Sequence, residues 1–134
     1  AGSIKALIDR GELESGIMHA LETRGTPYVL AGSIRDDGPL PEVTTDCVEA
    51  QSAMREVAVG ASMVIVIATQ LHGIAFGNML ATTTSVRGDE RALTTVCVDQ
   101  TEFAINKLHD RGSRQAFAVV TNAQDFLRSL RASL

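Results

Sequence analysis

The chain has no tryptophan, one tyrosine and four phenylalanines. Its core must therefore be built from Val, Ile, Leu, Ala and Met rather than from large rings. Two cysteines, Cys47 and Cys97, are too few for a disulfide scaffold and have no metal-ligand spacing. In apolar surroundings they read as reduced core thiols of a cytoplasmic protein. No apolar run approaches the roughly 20 residues that a bilayer span needs, and no signal peptide is visible, so no membrane is expected. A basic excess is missing too. Twelve Lys and Arg face sixteen Asp and Glu, for a formal net charge of −4, which argues against nucleic acid as a partner.

What is present is an ordinary folded composition of 134 residues, 45% hydrophobic and 21% charged, enough for one domain. The first residue is Ala rather than Met, so the chain reads as a processed or excised piece of something longer. Ile4, Leu7 and Ile8, then Leu13, Ile17, Met18 and Leu21, recur at helical spacing. Ser3 is placed to cap the first helix and Gly11 to end it, and a second helix is expected from Glu12 to Thr23, closed by Gly25. At Pro27 the period changes. Tyr28–Ala31 (YVLA) is a continuous apolar run of the kind that forms a strand buried on both faces.

Three further runs have the same character: Met63–Ala68 (MVIVIA), Thr95–Asp99 (TVCVD) and Ala116–Val120 (AFAVV). Each is followed by a helical stretch. Asp46 and Glu49 form a capping-box pair ahead of an apolar face of Cys47, Ala50, Met54, Val57 and Ala58, with Gly60 beyond it. Residues 102–111 are helical, with Phe103, Ile105 and Leu108 inward and Gly112 as the stop. Asn122 is placed to cap a last helix carrying Phe126, Leu127 and Leu130 inward. Alternation of this kind predicts an α/β fold: a doubly wound, Rossmann-like, mostly parallel sheet of four strands with helices on both faces. Residues 82–92 (TTTSVRGDERA) break the rhythm and are expected to be an exposed surface loop.

In open parallel sheets, ligands lie beyond the carboxyl ends of the strands, at helix N-termini. Four segments qualify here. Residues 32–41 (GSIRDDGPLP) form a polar loop stiffened by two prolines, in which Arg35, Asp36 and Asp37 are either a surface ion cluster or ligand contacts. Thr69, Gln70, Leu71 and His72 follow the second strand, where backbone amides and an imidazole can meet an anion. His19 and His109 lack such a position and read as structural or exposed. Asp99 ends its strand, where a carboxylate suits a ribose hydroxyl pair or caps the next helix. Asn122 and Ala123 follow the last strand, where Asn122 is in the first place a helix cap. A Gly-x-Gly-x-x-Gly fingerprint, a P-loop, a nucleophile elbow and a metal cluster are all missing. Spacing alone thus leads to a nucleotide-type ligand with its chemistry open.

The stretches LAGSIRDDGPLPEV (30–43), EAQSAMRE (49–56), IATQLHGIAFGNML (67–80), TVCVDQ (95–100), LHDRGSRQA (108–116) and VVTNAQDFL (119–127) carry a resemblance. The chain resembles the NAD-dependent, archaeal-type ornithine cyclodeaminases and the carboxyl-terminal part of bifunctional arginine dihydrolase/ornithine cyclodeaminases. The resemblance spans the chain except residues 82–92. It implies a deoxyhypusine-synthase-like NAD-binding fold and a lyase reaction, ornithine to proline and ammonia, with NAD recycled in place. It further implies NAD contacts at Asp37, Thr69, Gln70, Leu71, His72, Asp99, Asn122 and Ala123, a homo-oligomer, and no assigned catalytic residue. Gln70 stands where the family commonly has Met, and Asn122-Ala123 where it has Asp-Val. Family members are longer, with an amino-terminal domain and an earlier βα unit that contacts NAD, so this chain is expected to be inactive alone or to bind NAD weakly. The alternative is a non-catalytic or differently specific nucleotide-binding or assembly module.

Overall fold

The computed structural model describes residues 2–32, 42–110 and 115–134. Its contacts gather the chain into two compact units, Ala1–Val59 and Gly60–Leu134.

In the first unit, helix α1 (Ile4–Asp9) starts where Ser3 Oγ accepts the Ala6 amide at 3.0 Å. A carboxylate adds a second acceptor there: Ile4 N donates to Glu42 Oε2 at 2.8 Å, which satisfies another donor at that helix start. Gly11 then turns the chain with φ 70°, as its position suggested. Helix α2 begins at Ile17, later than the spacing predicted, and ends at Arg24 against left-handed Gly25 (φ 62°). The Glu12–Gly16 stretch is non-helical because its Leu7-directed amides close the end of α1 instead. Helix α1 packs on α2. The Tyr28 hydroxyl donates to the Glu22 carboxylate, which lifts its pKa to about 12; partial burial and the charges of Glu22 and Glu42 add to the rise.

Two expectations for this unit are corrected. Tyr28–Ala31 forms no full strand: the extended segment makes one parallel bridge, Ala31 to Thr44, flanked by Thr44 N to Leu30 O and Gly32 N to Thr44 O, both 2.8 Å. An apolar run supplies a willingness to pair, but a ladder also needs a partner running alongside it, and among the described residues pairing is confined to residues 30–32. Cys47 is exposed rather than in the core. It opens helix α3 (Cys47–Ala58), where Asp46 Oδ1 accepts the amides of Val48 and Glu49 at 2.8 and 2.9 Å. Of the apolar positions on α3, Ala50 alone is fully buried, and Val57 is exposed. Helical spacing identifies an apolar side without supplying what covers it.

The second unit is a parallel sheet with strands β1 (Met63–Ile67), β4 (Thr94–Asp99) and β5 (Ala116–Val120), in the order β1-β4-β5. Val64 pairs with Thr95, and Thr95 with Ala116, so the three strands run in step. Helix α4 (Gln70–Met79) leads out of β1 and helix α5 (Phe103–Asp110) joins β4 to β5. Both pack together, over a core of Cys97, Ile105, Leu108 and Ala116 with Val66 against it. Helix α6 (Ala123–Ser133) packs against β4. Burial pushes the Cys97 thiol's pKa up, so it stays protonated and serves as a small apolar group. His109 is structural: its Nε2 donates to the Ala116 carbonyl at 3.0 Å and ties α5 to β5. Phe103, expected inward, is half exposed, with Lys107 Nζ 5.6 Å from the centre of its ring. Gly112 lies outside the described residues.

Residues 82–92 are exposed but not a loop, which corrects the expectation. They form an antiparallel hairpin of β2 (Thr83–Val86) and β3 (Asp89–Ala92). Its two-residue turn has positive φ at both centres, Arg87 at 56° and Gly88 at 90°. A type I′ turn requires that combination, and its twist matches the paired strands. The segment lacks apolar alternation because its ladder needs only backbone groups, and every residue of β3 is exposed.

Helix α4 sits close to its neighbours through two glycines one turn apart. A Cβ on Gly73 would lie 2.6 Å from Val66 Cγ1, and one on Gly77 2.6 Å from Leu108 Cδ2. Val66 is stiff about its first torsion and Leu108 is 1% exposed, so neither can swing away. Gly73→Ala should therefore lose about 1–2 kcal/mol of stability in urea unfolding. The overpacking cost exceeds the helix-propensity gain of about 1 kcal/mol. A more stable variant would show that Val66 yields freely.

Tyr28 is the only tyrosine and there is no tryptophan, so its ionisation can be followed alone by absorbance near 295 nm. The folded chain should titrate at about 12, and Glu22→Gln should return it towards the usual value of roughly 10. Because the folded pKa is the higher one, the bond's stabilisation is complete below the unfolded pKa. It is lost as pH rises towards 12.

Candidate functional site

All three strands of the parallel sheet point the same way, so Ile67, Asp99 and Val120 end along one edge. At strand spacing the edge is about 10 Å across. The loops that leave it hold most of the residues singled out from the sequence.

At the first strand end, Ala68 turns with φ 57° while its amide still donates to the Val98 carbonyl at 2.9 Å. A left-handed alanine costs roughly 1–2 kcal/mol, and nothing in an alanine announces it, so sequence reasoning missed this residue. The turn delivers Thr69 as the N-cap of α4 in extended geometry (φ −145°). Thr69 Oγ1 accepts the His72 amide at 3.3 Å and lies 3.0 Å from His72 Nδ1. The amides of Gln70 and Leu71 belong to the first turn, where the helix's own ladder offers no acceptor. Leu71 and His72 are exposed. The start of α4 is thus a cluster of donors with the positive end of the helix dipole behind it.

At the second strand end, Asp99 is half-buried and its Oδ1 accepts the Thr101 amide at 3.3 Å. Thr101 Oγ1 in turn accepts the Phe103 amide at 3.5 Å, at the start of α5. Asp99 therefore shapes the turn, and its second carboxylate oxygen has no partner among the described residues. At the third, Thr121 N reaches back to the Asp99 carbonyl at 2.9 Å. Asn122 caps α6: its Oδ1 accepts the Asp125 amide at 2.9 Å, and its Nδ2 donates to Asp125 Oδ2 at 2.5 Å. Both groups of the Asn122 amide are engaged within the helix start, as the cap reading anticipated. Ala123 is the half-buried first residue of α6. The structure thus brings the loops of Thr69–His72, Asp99 and Asn122–Ala123 to a common edge. Asp37 lies outside the described residues.

Among the described residues no group of three or more His, Cys, Asp and Glu could hold a metal, and no helix is long and apolar enough to cross a membrane. A small pocket lined by Gly77, Leu80, Thr95 and Gln115 lies at the opposite end of the strands, away from these loops.

A parallel sheet with helix N-termini gathered at its carboxyl edge defines a Rossmann-type domain of the nucleotide-binding class. Comparison with known families is specific. The model of the C-terminal Rossmann-fold domain of arginine dihydrolase ArgZ-like proteins matches residues 1–130, and the chain belongs to that family. It is 46% identical over 130 residues to the ornithine cyclodeaminase of Methanocaldococcus jannaschii, covering 97% of this chain and 29% of that protein. The chain therefore spans less than a third of that relative's length. Among solved structures, it resembles a conserved LOR/SDH protein from Methanococcus maripaludis with a TM-score of 0.83 and 42% identity, covering 99% of this chain and 38% of that one. It also resembles AgrE in its ternary complex with ornithine and NAD+, with a TM-score of 0.82 and 38% identity, covering 99% of this chain and 18% of that one.

The Asn122 geometry makes a prediction about stability. Asn122→Ala should cost about 1 kcal/mol, the usual loss of a helix cap. Asn122→Asp keeps the cap acceptor but sets a second carboxylate against Asp125, so it should fall between the two rather than match the native chain. Thermal unfolding at low and high salt checks this, since salt should restore the Asp variant and leave the Ala variant unchanged.

Proposed function

We propose that residues 1–134 act as one NAD-binding domain within an ornithine cyclodeaminase-like lyase, which converts ornithine to proline and ammonia. The observation that carries this reading is the likeness to AgrE bound to ornithine and NAD+, together with a carboxyl edge whose groups suit a dinucleotide. The donors at the start of α4 match a pyrophosphate, and the half-buried Asp99 carboxylate, with one oxygen unengaged among the described residues, matches a ribose hydroxyl pair. Asp37, Thr69, Gln70, Leu71, His72, Asp99, Asn122 and Ala123 would hold the cofactor. When bound, NAD supplies the acceptance and return of a hydride. This chain's part is to bind and orient it, and no residue here is assigned a proton transfer. The same reading carries a cytoplasmic homo-oligomer in which chain outside these residues completes the site.

Supplied with ornithine and NAD, the protein that carries this sequence should release proline and ammonia without net NADH. No turnover of ornithine, arginine or related amino acids would overturn the reading. NAD binding without turnover would favour a nucleotide-binding module instead. In that protein, Asp99→Ala should weaken NAD binding by roughly 1–3 kcal/mol in calorimetry, as loss of a hydrogen bond to a charged group does. Unchanged affinity would remove Asp99 from the site.

A further inference from the structure

Thr69 and His72 share one hydroxyl proton, and its position decides what the imidazole offers a ligand. Thr69 Oγ1 accepts the His72 backbone amide at 3.3 Å, which occupies one lone pair. The same oxygen is 3.0 Å from His72 Nδ1. Two arrangements exist for the second contact. In one, the hydroxyl donates to Nδ1, which places the ring proton on Nε2. In the other, Nδ1–H donates to the hydroxyl, which then accepts twice and must find another acceptor for its own proton. Among the described residues Thr69 has no such acceptor, and its position at the start of a helix surrounds it with N–H donors rather than carbonyls. The first arrangement satisfies every group within the described residues, whereas the second leaves the hydroxyl proton to solvent.

From this geometry we propose that Thr69 fixes neutral His72 as the Nε2–H tautomer, so that the exposed ring adds a side-chain donor to the amides of Gln70 and Leu71. The acceptor it suits is a phosphate oxygen of the bound dinucleotide. The backbone amides at the start of α4 and the His72 ring are then all donors, a set that matches an anion and disfavours a ligand group with protons of its own to give. Thr69 is a positioning residue in this scheme: it acts through the proton it places on His72. The proposal rests on the nucleotide reading above for its ligand, whereas the tautomer is a property of the free chain.

The test is nitrogen-15 NMR of the His72 ring in the 134-residue chain, recorded at about pH 9, well above the ordinary imidazole range. Titrations of the protein that carries this sequence with NAD and with ADP-ribose, which keeps the pyrophosphate but lacks the nicotinamide, follow. The native chain and Thr69→Ser should show the Nε2–H tautomer, and both nucleotides should shift the Nε2 resonance. Thr69→Asp keeps a strong helix cap but offers only acceptors, so it should move the proton to Nδ1. His72→Phe should weaken ADP-ribose binding roughly tenfold, as loss of one donor to a charged oxygen does, and His72→Gln, which keeps a donor, should recover part of it. An Nδ1–H tautomer in the native chain overturns the proposal. So does nucleotide binding that leaves the His72 resonances unmoved, and in that case the nucleotide reading stands. If neither nucleotide binds to the protein that carries this sequence, the nucleotide reading and the donor role fall together.

Discussion

Contact between Gly73 and Val66 is what the candidate site depends on. Helix α4 can lie against β1 only because no Cβ intervenes, and Gly77 repeats the approach one turn later against Leu108. That closeness sets where the helix begins. The strained turn at Ala68, the cap at Thr69 and the His72 ring all take their positions from it. Burial of Cys97, Val98, Ile105, Leu108 and Ala116 on the other side of the same contact gives the sheet the rigidity that a ligand loop requires.

Legibility from sequence followed how local the physics was. The strands 63–67, 94–99 and 116–120 were readable because each is a short β-branched or apolar run bounded by turn residues. Caps at Ser3, Asp46 and Asn122 were equally visible where a short polar side chain preceded a periodic stretch, whereas Thr69 was singled out for its place after a strand and its capping of α4 was not read. What failed depended on partners. Tyr28–Ala31 had the composition of a buried strand but pairs at one bridge, and Cys47 and Val57 have the spacing of a covered face yet stand exposed. The hairpin at 82–92 failed for the opposite reason. It needs no apolar face, only a turn with two positive φ angles, and Arg-Gly is a weaker signal for that than Asn-Gly.

For the site, position along the chain was readable and proton placement was not. That residues 69–72, 99 and 122–123 meet at one edge follows from parallel topology, which the strand–helix alternation already implied. That Asn122 spends both amide groups on its own helix, or that Thr69 and His72 face each other through one oxygen, is set at the scale of a single rotamer. The resemblance to ornithine cyclodeaminases supplied the ligand's identity, which no spacing rule could.

The β2–β3 hairpin also bears on how the chain finds its fold. Parallel pairing of Met63 with Thr94 must close a long stretch of chain before it gains any contact, which is the slow step of such sheets. A two-residue turn that zips Thr83 onto Ala92 forms locally and early, on the microsecond scale of hairpins in general. Once zipped, it removes its own residues from the loop that remains to be closed, and loop entropy falls with them. Pairing Thr83 with Ala92 thus shortens the loop that the parallel sheet carrying that edge has to close.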